Sequence, residues 1–170
     1  TGDGTFNNPY ATISKAMDSI TDNSDTKYYM ISVSNGIYND TSFALKPFVF
    51  VVGQGYVSLT NNRDPIITID STFSTGLQIA GIYNLNLENG NRHSRNIDFD
   101  FSSYVNTPIL YIYNNIFSGP TDNSLIGNEN LTVYMSNNII NNRTLFEGAG
   151  TFYINNCKFK LSLSFRNDTS

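Results

Sequence analysis

The chain has 170 residues, the size of one domain with a substantial core. Ten Lys and Arg residues against 14 Asp and Glu give a net charge of −4, which argues against a surface that binds the phosphates of nucleic acid. The longest uninterrupted apolar run, Phe48 to Val52, is far shorter than the roughly 20 residues that span a bilayer, so we expect no membrane span.

The first 27 residues predict a lead-in followed by a short helix. Asn8 can cap a helix, and Pro9 suits the first helical turn. Ile13, Met17 and Ile20 follow at the spacing of one helical face. We therefore predict an amphipathic helix from Pro9 to about Ile20, with these three apolar side chains as the plug of a hydrophobic core.

From Met30 onward, short apolar or alternating runs replace the helical periodicity, and clusters of Asn, Gly, Asp and Ser separate them. The runs are Met30 to Val33, Phe48 to Val52, Val57 to Leu59, Ile66 to Ile69, Leu77 to Ile79, Ile82 to Leu87, Ile97 to Phe101, Ile109 to Tyr113, Leu131 to Met135 and Thr151 to Ile154. This pattern predicts an all-β chain after the helix. An antiparallel sandwich would give similar spacing, so the runs alone leave that architecture open.

Three later segments nearly repeat one another: Tyr111 to Phe117, Tyr134 to Ile140 and Tyr153 to Phe159. Aligned on the second Asn of each pair, the steps are 23 residues from Asn115 to Asn138 and 18 from Asn138 to Asn156. A repeat of about 20 to 30 residues indicates a solenoid, in which one unit stacks on the next. Asn residues that recur in this way also favour ladders of identical side chains.

The end of the chain has the longest strict alternation, with apolar residues at every second position from Cys157 to Phe165. We interpret residues 157–170 as a terminal amphipathic strand and tail. The strand either completes the core of its own coil, or it seals the open end or packs on a neighbouring subunit. Cys157 is the single cysteine, and its place in an apolar alternation predicts a buried, inert thiol.

Three segments near the start resemble the entry to the pectin lyase-like superfamily: Gly2 to Met17, Ile31 to Tyr38 and Val51 to Gly55. In that group a Gly-Asp-Gly-Thr lead runs into a capping helix, and a first coil follows. The resemblance covers residues 1–55 in detail. It implies one domain over residues 1–170, a single-stranded right-handed parallel β-helix of about six coils, with lead-in and capping helix in 1–27 and coils in 28–156.

Enzymes of this superfamily are glycoside hydrolases, polysaccharide lyases and pectin esterases, and the sequence lacks the catalytic strings that mark them. The best remaining candidates are Asp98 and Asp100, which would lie about 7 Å apart if Ile97, Phe99 and Phe101 point inward. Arg92, His93 and Arg95 would then bind an acidic sugar beside them. The alternative is a solvated ion cluster on an ordinary surface. We predict no catalytic residue, metal site or cofactor.

Tyr111 and Tyr113 alternate with apolar residues and lead into the pair Asn114 and Asn115. Tyrosine and asparagine on a flat sheet can stack on sugars and hydrogen-bond to them, so both tyrosines are candidate ligand-binding residues.

These observations lead to one principal hypothesis and two alternatives. The principal hypothesis is a non-catalytic structural or recognition head of a viral fibre, a homotrimer that binds a surface glycan during host attachment. Such a domain would lie on the virion surface or be extracellular. The alternatives are a polysaccharide hydrolase or lyase with a site near Asp98 and Asp100, and a bacterial adhesin module.

Overall fold

The computed structural model describes residues 2–39, 41–73, 76–90, 95–101, 107–120, 122–127, 130–148 and 150–166. In this part of the chain one helix, α1 (Ile13–Ser19), precedes eighteen strands. The strands are β1 (Tyr29–Val33), β2 (Gly36–Tyr38), β3 (Phe43–Leu45), β4 (Val49–Gly53), β5 (Val57–Asn61), β6 (Ile67–Ile69), β7 (Leu77–Tyr83), β8 (Asn86–Asn89), β9 (Arg95–Asp100), β10 (Thr107–Tyr113), β11 (Ile116–Ser118), β12 (Asp122–Gly127), β13 (Thr132–Ser136), β14 (Ile139–Ile140), β15 (Thr144–Gly148), β16 (Thr151–Asn155), β17 (Lys158–Phe159) and β18 (Leu163–Arg166).

The strands form three six-stranded sheets in which each strand pairs with the third strand further along the chain. The first sheet has the order β1-β4-β7-β10-β13-β16, the second β2-β5-β8-β11-β14-β17 and the third β3-β6-β9-β12-β15-β18. All of these strand pairs are parallel. The predicted all-β fold is confirmed, and its parallel sheets are consistent with a β-helix rather than a two-layer antiparallel sandwich.

Apolar side chains at alternate strand positions face a shared interior. In the second sheet, for example, Leu59 aligns with Leu87, Leu87 with Phe117 and Phe117 with Ile140. These four side chains are buried. Each such side chain stabilises the fold by about 1.5–3 kcal/mol relative to exposure. The outward positions between them are free to carry other functions.

Helix α1 covers the beginning of this core, but it starts later than predicted. Its N-cap is Thr12, whose hydroxyl accepts a hydrogen bond from the Lys15 amide at 3.1 Å, so neither Pro9 nor Asn8 belongs to the helix. The Asn8 carbonyl instead accepts from the Asp3 and Gly4 amides, which ties residues 3–8 into a turn. The predicted plug is nevertheless present, because the side chains of Ile13, Met17 and Ile20 are all buried.

The terminal alternation is divided between two strands, so the prediction of one long amphipathic strand is wrong. Strand β17 pairs with β14 in the second sheet, and β18 pairs with β15 in the third. The chain must change direction between the two sheets, and this bend leaves Leu161 60% exposed. The pairing favours the interpretation that the segment completes its own winding. Residues 167–170 lie outside the described residues.

Four asparagines occupy the same corner between the first and second sheets. Asn84, Asn114, Asn137 and Asn156 all have positive φ, from 49° to 57°. Asn tolerates this left-handed backbone better than most residues because its short polar side chain can bond locally. The corner corrects the sequence alignment of the repeats: Asn156 matches Asn137, and Cys157 rather than Asn156 matches Asn138.

Candidate functional site

The acidic candidates lie on the outer face of β9 in the third sheet. Ile97, Phe99 and Phe101 are buried as predicted, which leaves Asp98 partly exposed and Asp100 exposed. The Arg95 Nη1 atom donates to Asp98 Oδ1 at 2.8 Å, an ion pair between two partly exposed side chains. This is the arrangement expected of a solvated surface pair. Arg92 and His93 lie outside the described residues.

The tyrosine candidates lie on the outer face of the first sheet, so the fold separates them from the acidic residues. Tyr111, Tyr134 and Tyr153 are aligned on neighbouring strands β10, β13 and β16. Their rings stack with centroid separations of 5.2 Å and 4.8 Å and interplanar angles of 10° and 8°. We call these three residues the tyrosine column. Tyr134 has a ring against each face, whereas Tyr153 ends the column with a described ring on one face only and is 54% exposed.

A second group of rings continues toward the start of the chain. Tyr113 stacks on Tyr83 at 5.6 Å, and Phe50 lies 6.1 Å from Tyr83. Gly81 stands in the row that joins Phe50 to Tyr111, where a β-carbon would come within 2.9 Å of the Tyr83 ring. The Tyr83 ring therefore fills the space that this glycine leaves on the sheet surface.

The crowding of these phenols changes their acidity. Burial raises the pKa of Tyr83, and the neighbouring Tyr113 and Tyr111 raise it further. The pKa of Tyr111 is also raised, first by burial and then by Tyr134 and Tyr113. Both effects disfavour the phenolate, because the charged form loses hydration and repels nearby phenolates. The hydroxyls are therefore neutral donors and acceptors at physiological pH.

Two asparagine columns run beside each other at the corner between the first and second sheets. The inner column contains Asn115 and Asn138, which are almost completely buried. Asn115 Oδ1 accepts from the Leu85 amide at 3.0 Å, and its Nδ2 donates to the Ile82 carbonyl at 3.1 Å and to Asn138 Oδ1 at 3.2 Å. The predicted ladder of asparagines thus exists, and here it closes the hydrogen bonds of a buried corner.

In the winding after Asn138, Cys157 takes the corresponding position in the inner column. Asn138 Nδ2 contacts the Cys157 Sγ atom at 3.6 Å, and Sγ donates to the Asn155 carbonyl at 3.4 Å. Cys157 is only partly buried, because it lies in the last described winding. The prediction that this thiol is buried is therefore wrong, although the thiol takes part in the hydrogen bonding of the corner.

The outer column contains the left-handed residues Asn84, Asn114, Asn137 and Asn156. Asn114 Nδ2 donates to Asn84 Oδ1 at 2.8 Å, and Asn156 Nδ2 donates to Asn137 Oδ1 at 2.6 Å. No side-chain hydrogen bond joins Asn114 to Asn137, although both residues are described. The outer column is therefore two bonded pairs with a gap between them.

The outer column borders a shallow groove of about 210 Å³ on the second-sheet side. Asn84, Asn114 and Asn137 line one side, and Ile116 and Ile139 from β11 and β14 line the floor. Each isoleucine is 38% exposed. Every residue that lines the groove is uncharged. We call this feature the corner groove.

Tyr56 stands at the end of the corner groove nearest the start of the chain. It is 61% exposed, and its hydroxyl accepts a long hydrogen bond from Asn86 Nδ2 at 3.5 Å. None of the ring pairs in the described part of the chain includes Tyr56. Its ring face is thus not covered by another aromatic ring.

Sequence reasoning selected Tyr111 and Tyr113 but missed Tyr56 and the outer asparagines as a surface. The Asn pairs themselves were a usable signal, because adjacent residues at a sheet corner place one side chain inside and the other outside. Tyr56 follows Gly55, whose φ of 88° marks the bend between β4 and β5 one winding earlier.

Comparisons with known proteins add no assignment: neither a protein-family model, nor a curated protein sequence, nor a solved structure matches this chain. Over the described residues, no helix has the length and apolar character needed to cross a membrane. Within the same ranges, no group of three or more His, Cys, Asp or Glu side chains is placed to hold a metal ion.

Proposed function

We propose that this chain is a non-catalytic recognition module that binds a surface glycan. The observation that carries the proposal is the exposed, uncharged edge of tyrosine and asparagine side chains at the corner between the first and second sheets. Tyrosine hydroxyls and asparagine amides there offer both donors and acceptors to sugar hydroxyls. Aromatic and isoleucine surfaces beside them can cover the apolar C–H faces of a sugar ring.

We propose that the three sheets belong to one right-handed parallel β-helix of about six windings. The pairing of each strand with the third strand ahead supports this arrangement. Connections between parallel strands of one sheet are right-handed in roughly 98% of cases, because of strand twist. A rigid stack of this kind would hold the corner side chains at the regular strand spacing of about 4.8 Å.

The test is a screen of the purified chain against an array of neutral and acidic glycans, followed by titration calorimetry of the positive ligands. We expect saturable binding to a restricted group of glycans. Binding should be unchanged in Asp98→Asn, since this residue lies on a different sheet. If no glycan binds, the proposal fails.

The alternative of a polysaccharide hydrolase or lyase predicts a different result from the same materials. Release of reducing ends or unsaturated products, lost in Asp98→Asn or Asp100→Asn, would replace the recognition proposal with an enzymatic one. The ion pair between Arg95 and Asp98 favours recognition, because it engages the carboxylate that catalysis would need.

We propose further that the module is the trimeric head of a viral fibre. Exposed apolar side chains on the last winding support self-association, with Leu161 60% and Phe165 57% exposed. Light scattering at several concentrations should give the mass of three chains. A monomer at every concentration would contradict the trimer and leave the glycan proposal to its own test.

A further inference from the structure

We propose that the corner groove binds a neutral oligosaccharide, with Tyr56 as the stacking platform for one ring and Asn114 and Asn137 as the pair that reads the hydroxyls of a ring further along the groove. This inference rests on the proposed glycan recognition and deepens it, since it names the site and the class of sugar. It rests on three independent features of the groove: a free aromatic face, an unpaired donor and acceptor, and the absence of charge.

The stacking platform needs an exposed ring face, because a sugar stacks on the flat face of an aromatic ring and not on its edge. In the tyrosine column, Tyr134 has a ring against each face, at 5.2 Å and 4.8 Å. Tyr56 differs, because no described aromatic ring covers it and 61% of the residue is exposed. Tyr153 also has one uncovered face, but it does not line the groove. The platform of the groove is therefore Tyr56 and not the Tyr111 and Tyr113 positions selected from the sequence.

The outer asparagines supply the polar contacts. Because Asn114 Nδ2 donates to Asn84, its Oδ1 atom is the part of the amide left without a side-chain partner. Because Asn137 Oδ1 accepts from Asn156, its Nδ2 atom is left in the same way. One acceptor and one donor thus stand on neighbouring windings, and two adjacent sugar hydroxyls complement them: one donates to Asn114 Oδ1, and the other accepts from Asn137 Nδ2.

The charge of the groove decides the class of sugar. Its lining consists only of glycine, aliphatic, tyrosine and asparagine residues. A carboxylate placed over this lining would lose hydration with no cation among the residues that line the groove, which is costly. Lys158 is the strand partner of Ile139 on the next strand of the second sheet, but it does not line the groove. Arg95 lies on the third sheet, where it is paired with Asp98. The floor of Ile116 and Ile139 instead suits the C–H face of an uncharged ring. Neutral oligosaccharides should therefore bind in preference to uronic or sialic acids.

The experiment compares variants of the full chain by calorimetry against cellotriose, maltotriose, chitotriose, trigalacturonate and sialyllactose. We expect at least one neutral trisaccharide to bind and both acidic probes to fail. Tyr56→Ala and the double variant Asn114→Gly with Asn137→Gly should each weaken binding by about tenfold, the loss of one stacking contact or two modest hydrogen bonds. Glycine keeps the positive φ, so the double variant removes the amides without straining the corner.

Phe6→Ala is the matched control, because Phe6 is a fully exposed aromatic in the lead-in and does not line the groove. The Phe6→Ala variant should bind the neutral trisaccharide with the same affinity as the unaltered chain. Unfolding curves should show that all variants fold. If Tyr153→Ala loses binding and Tyr56→Ala keeps it, the corner groove is not the sugar site. The proposal that the chain recognises a glycan would then still hold. Preference for the acidic probes would also overturn the corner groove as a site for a neutral sugar. If the unaltered chain binds only acidic glycans on the array, the neutral-sugar inference alone fails.

Discussion

Asn114 and Asn115 are neighbours in the sequence and of the same residue type, yet they belong to different regions of the molecule. Asn115 is 0% exposed, and both ends of its amide are bonded within the corner. Asn114 has a left-handed backbone, and its amide contacts one neighbour at the surface. The inner residue stabilises the turn, whereas the outer residue is available for recognition.

The difference follows from the geometry of the corner. A residue with positive φ turns the chain out of the first sheet, and the next residue points back into the interior. Each of the four windings with such an asparagine therefore receives one inward and one outward side chain at this place. A pair of asparagines can serve both roles, because its amide satisfies a buried backbone in one position and tolerates the left-handed backbone in the other.

The largest expected effect is on the inner column. Asn115→Leu should lower the free energy of unfolding by about 3 kcal/mol, because the Leu85 amide and the Ile82 carbonyl would lose their buried partner. Denaturation with urea, followed by circular dichroism, measures the change. Leu85 occupies the corresponding inner position one winding earlier, so a leucine side chain fits such a corner.

A loss below about 1 kcal/mol in Asn115→Leu would contradict a structural role for the inner column. Asn114→Gly is the comparison variant, since it removes an amide of the same kind from the outer column.

A smaller effect is expected on the outer column. Asn114→Ala should cost about 1 kcal/mol, because alanine is strained at a φ of 55°. Asn114→Gly should change stability by only a few tenths of a kcal/mol, since glycine adopts this backbone freely. The same denaturation experiment gives both values. Equal losses in the two variants would mean that the hydrogen bond to Asn84, and not the backbone, decides the stability of this position.

The smallest effect is the pH dependence of the outer tyrosines. The pKa values of Tyr83 and Tyr111 are raised above the usual 10.0, so the folded chain keeps protons that the unfolded chain has lost. Stability is then fully present below about pH 10 and falls as the pH rises through the shifted values. Urea denaturation between pH 9 and about 11 measures this decline. Tyr83→Phe should flatten it, and a decline of the same slope in that variant would contradict the assignment.

Much of the fold could be predicted because its signals are local. The alternation of apolar residues places Ile97, Phe99 and Phe101 in the interior whatever their partners are. The helical spacing of Ile13, Met17 and Ile20 likewise defines one buried face. The exact helix start could not be predicted, because Asn8 and Thr12 are both good caps and the turn at residues 3–8 decides between them.

The candidate site could be predicted only in part. Tyr111 and Tyr113 were correctly placed on an outer face, but whether a ring shows its face or its edge depends on the strands beside it. Tyr134 covers one face of the Tyr111 ring, and Tyr153 covers the other face of Tyr134. These two residues are 23 and 42 positions from Tyr111 in the sequence. No local pattern reports such a contact.

The amino-acid sequence by itself determined the class of this protein: short strands, an apolar interior, a covering helix and repeated Asn pairs at corners. These features depend on periodicity and backbone preference, which act over a few residues. Only the tertiary structure decided which asparagine of each pair is buried, which tyrosine keeps an open ring and which residues border the corner groove. Those properties depend on the register between windings about 20 to 30 residues apart, and register is a property of the assembled sheets.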